Sequence, residues 1–191
     1  MFNLVPKKPA PRACWRLRLL TSEYLVEGSF YPDEYKVGSA NIFELASDPT
    51  LDGGGAEAFQ RLQLYDVGLL PTGLLILPVQ TYPEWGLSVT DHVIALIPGD
   101  EASLQTAQKA FKEFRYPLQA DVFASSYRLS GCLMSDSTIP HRSPFMVSQF
   151  IPMVQAEIHS LAPAAAWGGL QAAWALLNGN ALMHGYGLRN P

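Results

Sequence analysis

Ser22-Glu-Tyr-Leu-Val-Glu-Gly-Ser-Phe30 and Ser125-Ser-Tyr-Arg-Leu-Ser-Gly-Cys-Leu133 are the two stretches on which the fold turns. Each carries a tyrosine, an aliphatic residue two positions on, and a glycine two positions after that: Tyr24-x-Val26-x-Gly28 and Tyr127-x-Leu129-x-Gly131. Spacing by two puts all three on one face of a strand, and the glycine marks a bulge or a close approach. Working outward, further matches fall in the same order. Phe43 corresponds to Phe145. Phe59-Gln-Arg-Leu62 with Asp66, Val67 and Leu70 corresponds to Phe150-Ile-Pro-Met153 with Glu157, Ile158 and Leu161. Val89-Thr-Asp-His-Val-Ile94 corresponds to Leu177-Asn-Gly-Asn-Ala-Leu182. The pattern reads as an internal duplication, with the loop around Gly53-Gly54-Gly55 taking up most of the length difference.

The remaining signals are mostly those of strands. Trp15–Leu19 and Arg61–Asp66 alternate apolar and polar residues, and Gly73–Val79, Leu87–Ile97, Val122–Leu133, Pro152–Leu161 and Trp174–Tyr186 are strand candidates. Ala162–Leu177 is rich enough in alanine to be helical, against its proline and paired glycines. One segment has a clear helical period: Leu104, Ala107, Phe111 and Phe114 recur at steps of three and four between Asp100 and Arg115. Asp100 or Ser103 would cap its start. The expectation is a mainly β protein, two tandem small β repeats packed pseudo-symmetrically and joined by one amphipathic helix. Its parts are an extended N-terminal arm (1–13), a first repeat (14–99), the connecting helix (100–116) and a second repeat (117–191). Neither repeat has strands enough to bury its apolar face alone, so the two form one globule.

Each half resembles a small, uncharacterised bacterial β-domain type. The shared pattern is an early Tyr-x-Ile-x-Gly, a middle strand Phe-x-x-Leu-x-x-x-Asp/Glu and a late polar turn before a hydrophobic pair. Tyr24 to Gly28, Phe59 to Asp66 and Thr90 to Ile94 carry it in the first half; Tyr127 to Gly131, Phe150 to Glu157 and Asn178 to Leu182 carry it in the second. The resemblance implies a β fold and no activity.

The chain has 191 residues with a net charge of −4, and 48% are hydrophobic against 16% charged, a balance that excludes global disorder. The mildly acidic sum argues against a nucleic-acid partner. Charge is also unevenly spread: from Ser143 to Pro191 only Glu157 and Arg189 are charged. The two repeats should therefore face different surroundings, the first water and the second protein. Trp167, Trp174, Leu176, Met183 and Tyr186 would anchor such a contact, and Phe2, Leu4 and Val5 would anchor the proline-bearing arm on another chain. The alternative is that the uncharged third forms the central core.

Signs of chemistry are sparse. Glu157-x-His159 with His141 or Asp136 could hold a metal, but two such residues on a strand are more often a polar face. Cys132 with His141 could pair as nucleophile and base, although Cys132 reads better as structural. Both Cys14 and Cys132 are expected reduced and mostly buried. Asp91-His92 suits a turn, and no phosphate loop, dinucleotide fingerprint or nucleophile elbow occurs. The expectation is accordingly a non-catalytic, cytoplasmic interaction or assembly subunit without cofactor or metal, contacting a partner protein or its own copies. A ligand or active site between the repeats, drawing on Tyr24, Trp85, His92, Tyr127 and His184, is the first alternative. Peripheral membrane association of the uncharged third is the second.

Overall fold

The computed structural model describes residues 13–35, 41–47, 59–72, 78–136, 150–162, 167–180 and 183–188, the side chains of 183–186 excepted. The chain is mainly β. Ten strands form one antiparallel sheet: β1 (Trp15–Thr21), β2 (Tyr24–Phe30), β3 (Leu62–Pro71), β4 (Gln80–Leu87), β5 (Val93–Pro98), β6 (Tyr116–Ala124), β7 (Tyr127–Ser135), β8 (Phe150–Ser160), β9 (Leu170–Asn178) and β10 (Met183–Leu188). Among the described residues the α-helices α1 (Ile42–Ser47), α2 (Val89–His92) and α3 (Glu101–Ala110) and a 3-10 turn at Pro32–Tyr35 accompany them. Across the sheet the order is β10-β6-β7-β8-β9-β5-β1-β2-β3-β4. Each half is thus a four-strand meander whose fifth strand returns beside the first, and the halves join where β9 pairs with β5.

The two halves carry the same irregularities. Both first hairpins turn over two residues, Ser22-Glu23 and Ser125-Ser126, before Tyr24 and Tyr127. The ladder of β2 with β3 shifts at Gly28, and that of β7 with β8 shifts at Gly131. Opposite these glycines stand Asp66 and Gln155, with φ of 50° and 53°. The fifth strands also shift alike, between Val93 and Ala95 against β1 and between Met183 and Gly185 against β6. These landmarks correct the sequence matching by two residues in the middle and late strands. Asp66 stands where Gln155 stands, not Glu157, and Val93 where Met183 stands, not Ala181. A slip of two keeps every side chain on its face, so the hydrophobic pattern could not detect it. Phe59 and Phe150, matched by sequence, instead stack on each other at 5.2 Å.

The glycines explain why the bulges sit where they do. A Cβ on Gly131 would stand 2.8 Å and 2.9 Å from the carbonyl oxygens of Val154 and Gln155; on Gly28 it would meet Leu64 Cβ and Val67 Cγ2 at 3.1 Å. Gly131→Ala is therefore expected to cost about 2 kcal/mol, and Gly28→Ala less, because backbone yields less readily than side chain. Urea denaturation of the two variants checks the ranking.

Five positions separate β6 from β1 in the sheet, and each step reverses strand direction. The order across each half is the same while the direction is opposite. Two apolar clusters lie against the sheet. Leu17, Leu19, Val26, Leu62, Leu64 and Leu69 lie in the first, under α1 and α3; Val122, Leu129, Ile151, Met153 and Ile158 lie in the second. The strands at the joint feed both: Leu19 and Leu20, Leu96 and Ile97, and Leu176 and Leu177 each divide between them. Their near-continuous apolar runs are those of strands buried on both faces.

The connecting helix is shorter than its period suggested, ending at Ala110. Asp100 is its cap, accepting from the Ser103 amide at 2.7 Å, and Ala107 and Phe111 are its buried face. Other expectations need correction. Leu87–Ile97 is broken by α2, Val122–Leu133 spans the hairpin between β6 and β7, and Trp174–Tyr186 spans two strands. The stretch 170–178 is strand rather than helix, its alternating contacts with β8 and β5 outweighing alanine's helical preference. The loop expected over 48–58 and the strand over 73–77 lie outside the described residues. No helix among the described residues is long and apolar enough to cross a membrane.

Candidate interaction surface

The β6–β10 end of the sheet carries exposed apolar side chains on both faces. On β6, Ala120, Val122 and Ala124 point into the second cluster, so Gln119, Asp121 and Phe123 point away. Phe123 is 38% exposed because its register partner on β10 is Gly185, which has no side chain to cover the ring. Tyr116, at the other end of β6, and Leu188, at the end of β10, are 42% and 44% exposed. These are three of the five large hydrophobic residues most exposed among the described residues, the others being Val79 and Leu161. Among the described residues β10 pairs with β6 alone, which leaves its other backbone edge open.

Around Phe123 the outward face is polar and internally paired. Asp121 Oδ1 accepts from Arg128 Nε at 3.1 Å and from Ser130 Oγ at 2.6 Å, and Gln119 donates to Cys132 Sγ at 2.9 Å. Glu157 and His159 lie further along, 3.8 Å apart and exposed. His141, the ligand proposed to complete their metal site and the base proposed for Cys132, lies outside the described residues. Among the described residues no three histidine, cysteine, aspartate or glutamate side chains gather where they could hold a metal. Both cysteines are free, and Cys14 is exposed, against expectation, because it precedes the first strand.

The opposite edge, β4, is guarded. Pro83 lacks an N–H, and Glu84 beside it is exposed; both discourage pairing by another chain. The outward face of this half is held by paired charges. Arg18 and Glu27 lie 2.6 Å apart, and Tyr65 donates to Glu34 at 2.6 Å. The hydrogen bond to Glu34, then burial, pushes the Tyr65 phenol up to about 12. Ultraviolet titration should place it there, and Glu34→Gln should bring it down. Since the folded value lies above the ordinary 10.0, any stability linked to Tyr65 is present below pH 10 and lost as pH rises from there to about 12.

The sequence-derived anchors are distributed differently from expectation. Trp174 and Leu176 are buried in the first cluster, Trp174 between Phe43 and Phe111, so their apolar area is used inside the chain. Trp167 is half-buried, edge-on to Tyr127 at 5.9 Å. Met183 and Tyr186 belong to β10, but their side chains, like Phe2, Leu4 and Val5, lie outside the described residues. Of the ligand-site candidates, Tyr24, Trp85 and His92 do share a surface hollow of about 430 Å³, within the first half rather than between halves. Tyr127 is buried elsewhere; its hydroxyl contacts Thr72 and donates to the Ser22 carbonyl, and burial raises its pKa. His184 adds no described side chain. Asp91 and His92 lie exposed on α2, with Asp91 accepting from Ser88 Oγ at 2.8 Å.

Phe123, Tyr116 and Leu188 were not singled out from sequence. The signal for Phe123 was the pair Val122-Phe123, since adjacent strand residues cannot both face one core. Compared with known proteins, the chain matches no family model, no curated protein and no solved structure.

Proposed function

We propose that the chain is a non-catalytic interaction or assembly subunit built from two copies of one five-strand unit. The observation that carries the interaction is the β6–β10 end, where Phe123 is exposed on one face of the sheet, Tyr116 and Leu188 on the other, and no strand among the described residues covers the outer edge of β10. Exposed apolar side chains near backbone that no described strand pairs are the composition of a contact surface. The duplication is supported by the matching strand order and by the three shared ladder shifts and turns. A photo-crosslinking phenylalanine derivative at position 123, in cells of the protein's own source, should yield a covalent adduct with protein. The same group at Gln105, on the exposed side of α3, should not. Absence of an adduct at 123, or turnover of any compound in a metabolite panel, overturns the reading.

The hollow lined by Tyr24, Trp85 and His92 favours a second reading, a small-molecule binding protein. Its polar and aromatic groups converge at the mouth of the β1–β2 hairpin. Under this reading Trp85 fluorescence saturates with some member of the panel, and Trp85→Ala abolishes the response.

A further inference from the structure

We infer that the hollow beside the β1–β2 hairpin takes a small organic amine, its ammonium held by Glu23 against the rings of Tyr24 and Trp85 and its apolar body seated on Val26, Leu69 and Leu87. The inference rests on the small-molecule reading and names the ligand's chemistry. Three segments build the hollow: the turn Thr21–Tyr24, the mid-strand residues Val26 and Leu69, and the stretch from Trp85 to Ser88 with His92 of α2. Val26 and Leu69, paired across β2 and β3, are each 2% exposed and form its floor. Tyr24 and Trp85 are only half-buried, so each keeps surface for an occupant.

The same place in the second half is closed. By register Trp85, opposite Leu64, corresponds to Ala175, opposite Met153. Thr21, opposite Val93, corresponds to Ala124, opposite Met183, and Leu87 corresponds to Leu177. There Ala124, Leu129, Leu177 and Asn178 meet Ile94 and Val122 around a void with no room for a water, and Tyr127 is fully buried. The first half instead leaves about 430 Å³, within the range of ligand sites. Its lining also differs in kind: an indole for an alanine, a hydroxyl for a methyl, and Glu23 for Ser126.

Charge decides the class of ligand. Glu23 is the one formal charge among the described residues lining the hollow. Asp91, which accepts from Ser88 Oγ on the rim at 2.8 Å, adds a carboxylate close by. No lysine or arginine is among the described lining residues, so a cation is attracted and an anion repelled. Aromatic faces carry negative charge density, and a cation within about 6 Å of a ring centroid gains from it. The apolar floor rewards a body larger than an ammonium alone.

Isothermal titration calorimetry of the full chain with phenethylamine, phenethyl alcohol and hydrocinnamate tests this, since the three share a ring and differ in charge. The expected result is saturable binding of the amine, about 10-fold tighter than the alcohol, with the carboxylate weakest. Glu23→Gln should weaken the amine about 10-fold and leave the alcohol unchanged. Trp85→Phe, which keeps a ring, should weaken it less than Trp85→Ala. Glu113→Gln, an exposed carboxylate beyond α3, should change nothing. Circular dichroism confirms the variants' fold; should Trp85→Ala unfold, Glu23→Gln decides, since Glu23 lies exposed in a turn. Equal binding of the three, or a Glu23→Gln variant with full amine affinity, overturns the ammonium assignment and leaves the small-molecule reading in place. Tighter binding of Nα-acetyl-lysine amide than of phenethylamine overturns the free amine in favour of a partner's lysine. Saturation by none of the four overturns the inference, and silence of Trp85 toward the metabolite panel as well overturns the small-molecule reading.

Discussion

Trp174→Ala should lower the unfolding free energy by about 3–5 kcal/mol, the largest loss expected of any single truncation in the chain. The indole is 4% exposed and stands edge-on to Phe43 at 5.4 Å, with Phe111 at 5.8 Å. It belongs to β9 of the second half, yet its neighbours are α1 and the end of α3 in the first. Removing it opens a cavity lined by rings that cannot collapse, because α3 is pinned at its start by Asp100 and Ser103. Trp174→Phe should recover part of the loss. The urea midpoint reads both. If Trp174→Ala kept full stability and lost only association, the residue would be the partner anchor that its sequence context suggested.

Asn178→Leu should cost about 3 kcal/mol, despite adding apolar volume, because it removes the buried amide donor shared by the Thr90, Val93 and Val89 carbonyls, of which Val89 O also accepts from the Val93 N–H. The Asn178 amide nitrogen lies 3.0 Å from Val89 O, 3.2 Å from Thr90 O and 3.0 Å from Val93 O. Those carbonyls belong to α2 and the start of β5, so one side chain from β9 closes the backbone of the opposite half where the sheet joins. The Asn178 Oδ1 accepts from the Asn180 amide at 3.0 Å, which fixes the orientation of the side-chain amide. Asn178→Asp should be worse than leucine, since a carboxylate would face three oxygens. Thermal denaturation measures the order; an aspartate variant as stable as the wild type would contradict this role for the amide.

The sequence made the strands around Tyr24 and Tyr127 legible because period-two alternation and a glycine at the bulge are local properties. The helix from Asp100 was legible for the same reason. What failed were boundaries set by distant partners. Nothing local distinguishes Val122–Leu133 as one strand from a hairpin whose turn is the polar pair Ser125-Ser126. Trp174–Tyr186, by contrast, held a local break, the polar Asn178-Gly-Asn180 at which β9 ends, with β5 against one end of the segment and β6 against the other. The scarcity of charge after Ser143 was real, and it supported two explanations. Trp174 and Leu176 answer to the core explanation, since β9 lies at the middle of the sheet with a cluster on each side. Phe123, outside that third, is one of the residues the sequence reading passed over. Whether a bare apolar residue faces solvent depends on the side chain opposite, and here Gly185 offers none.

The division of Leu19 from Leu20, and of Leu176 from Leu177, between opposite faces bears on how the molecule moves. A hinge needs a line along which few packed contacts cross; the ladder between the halves runs through β5 and β9, packed on both sides, and the halves meet again where the Tyr127 hydroxyl reaches Thr72 and the Ser22 carbonyl. Bending there would strain both cores together. The two halves therefore turn as one body, and a partner of either would meet a surface that needs no slow rearrangement of one half against the other.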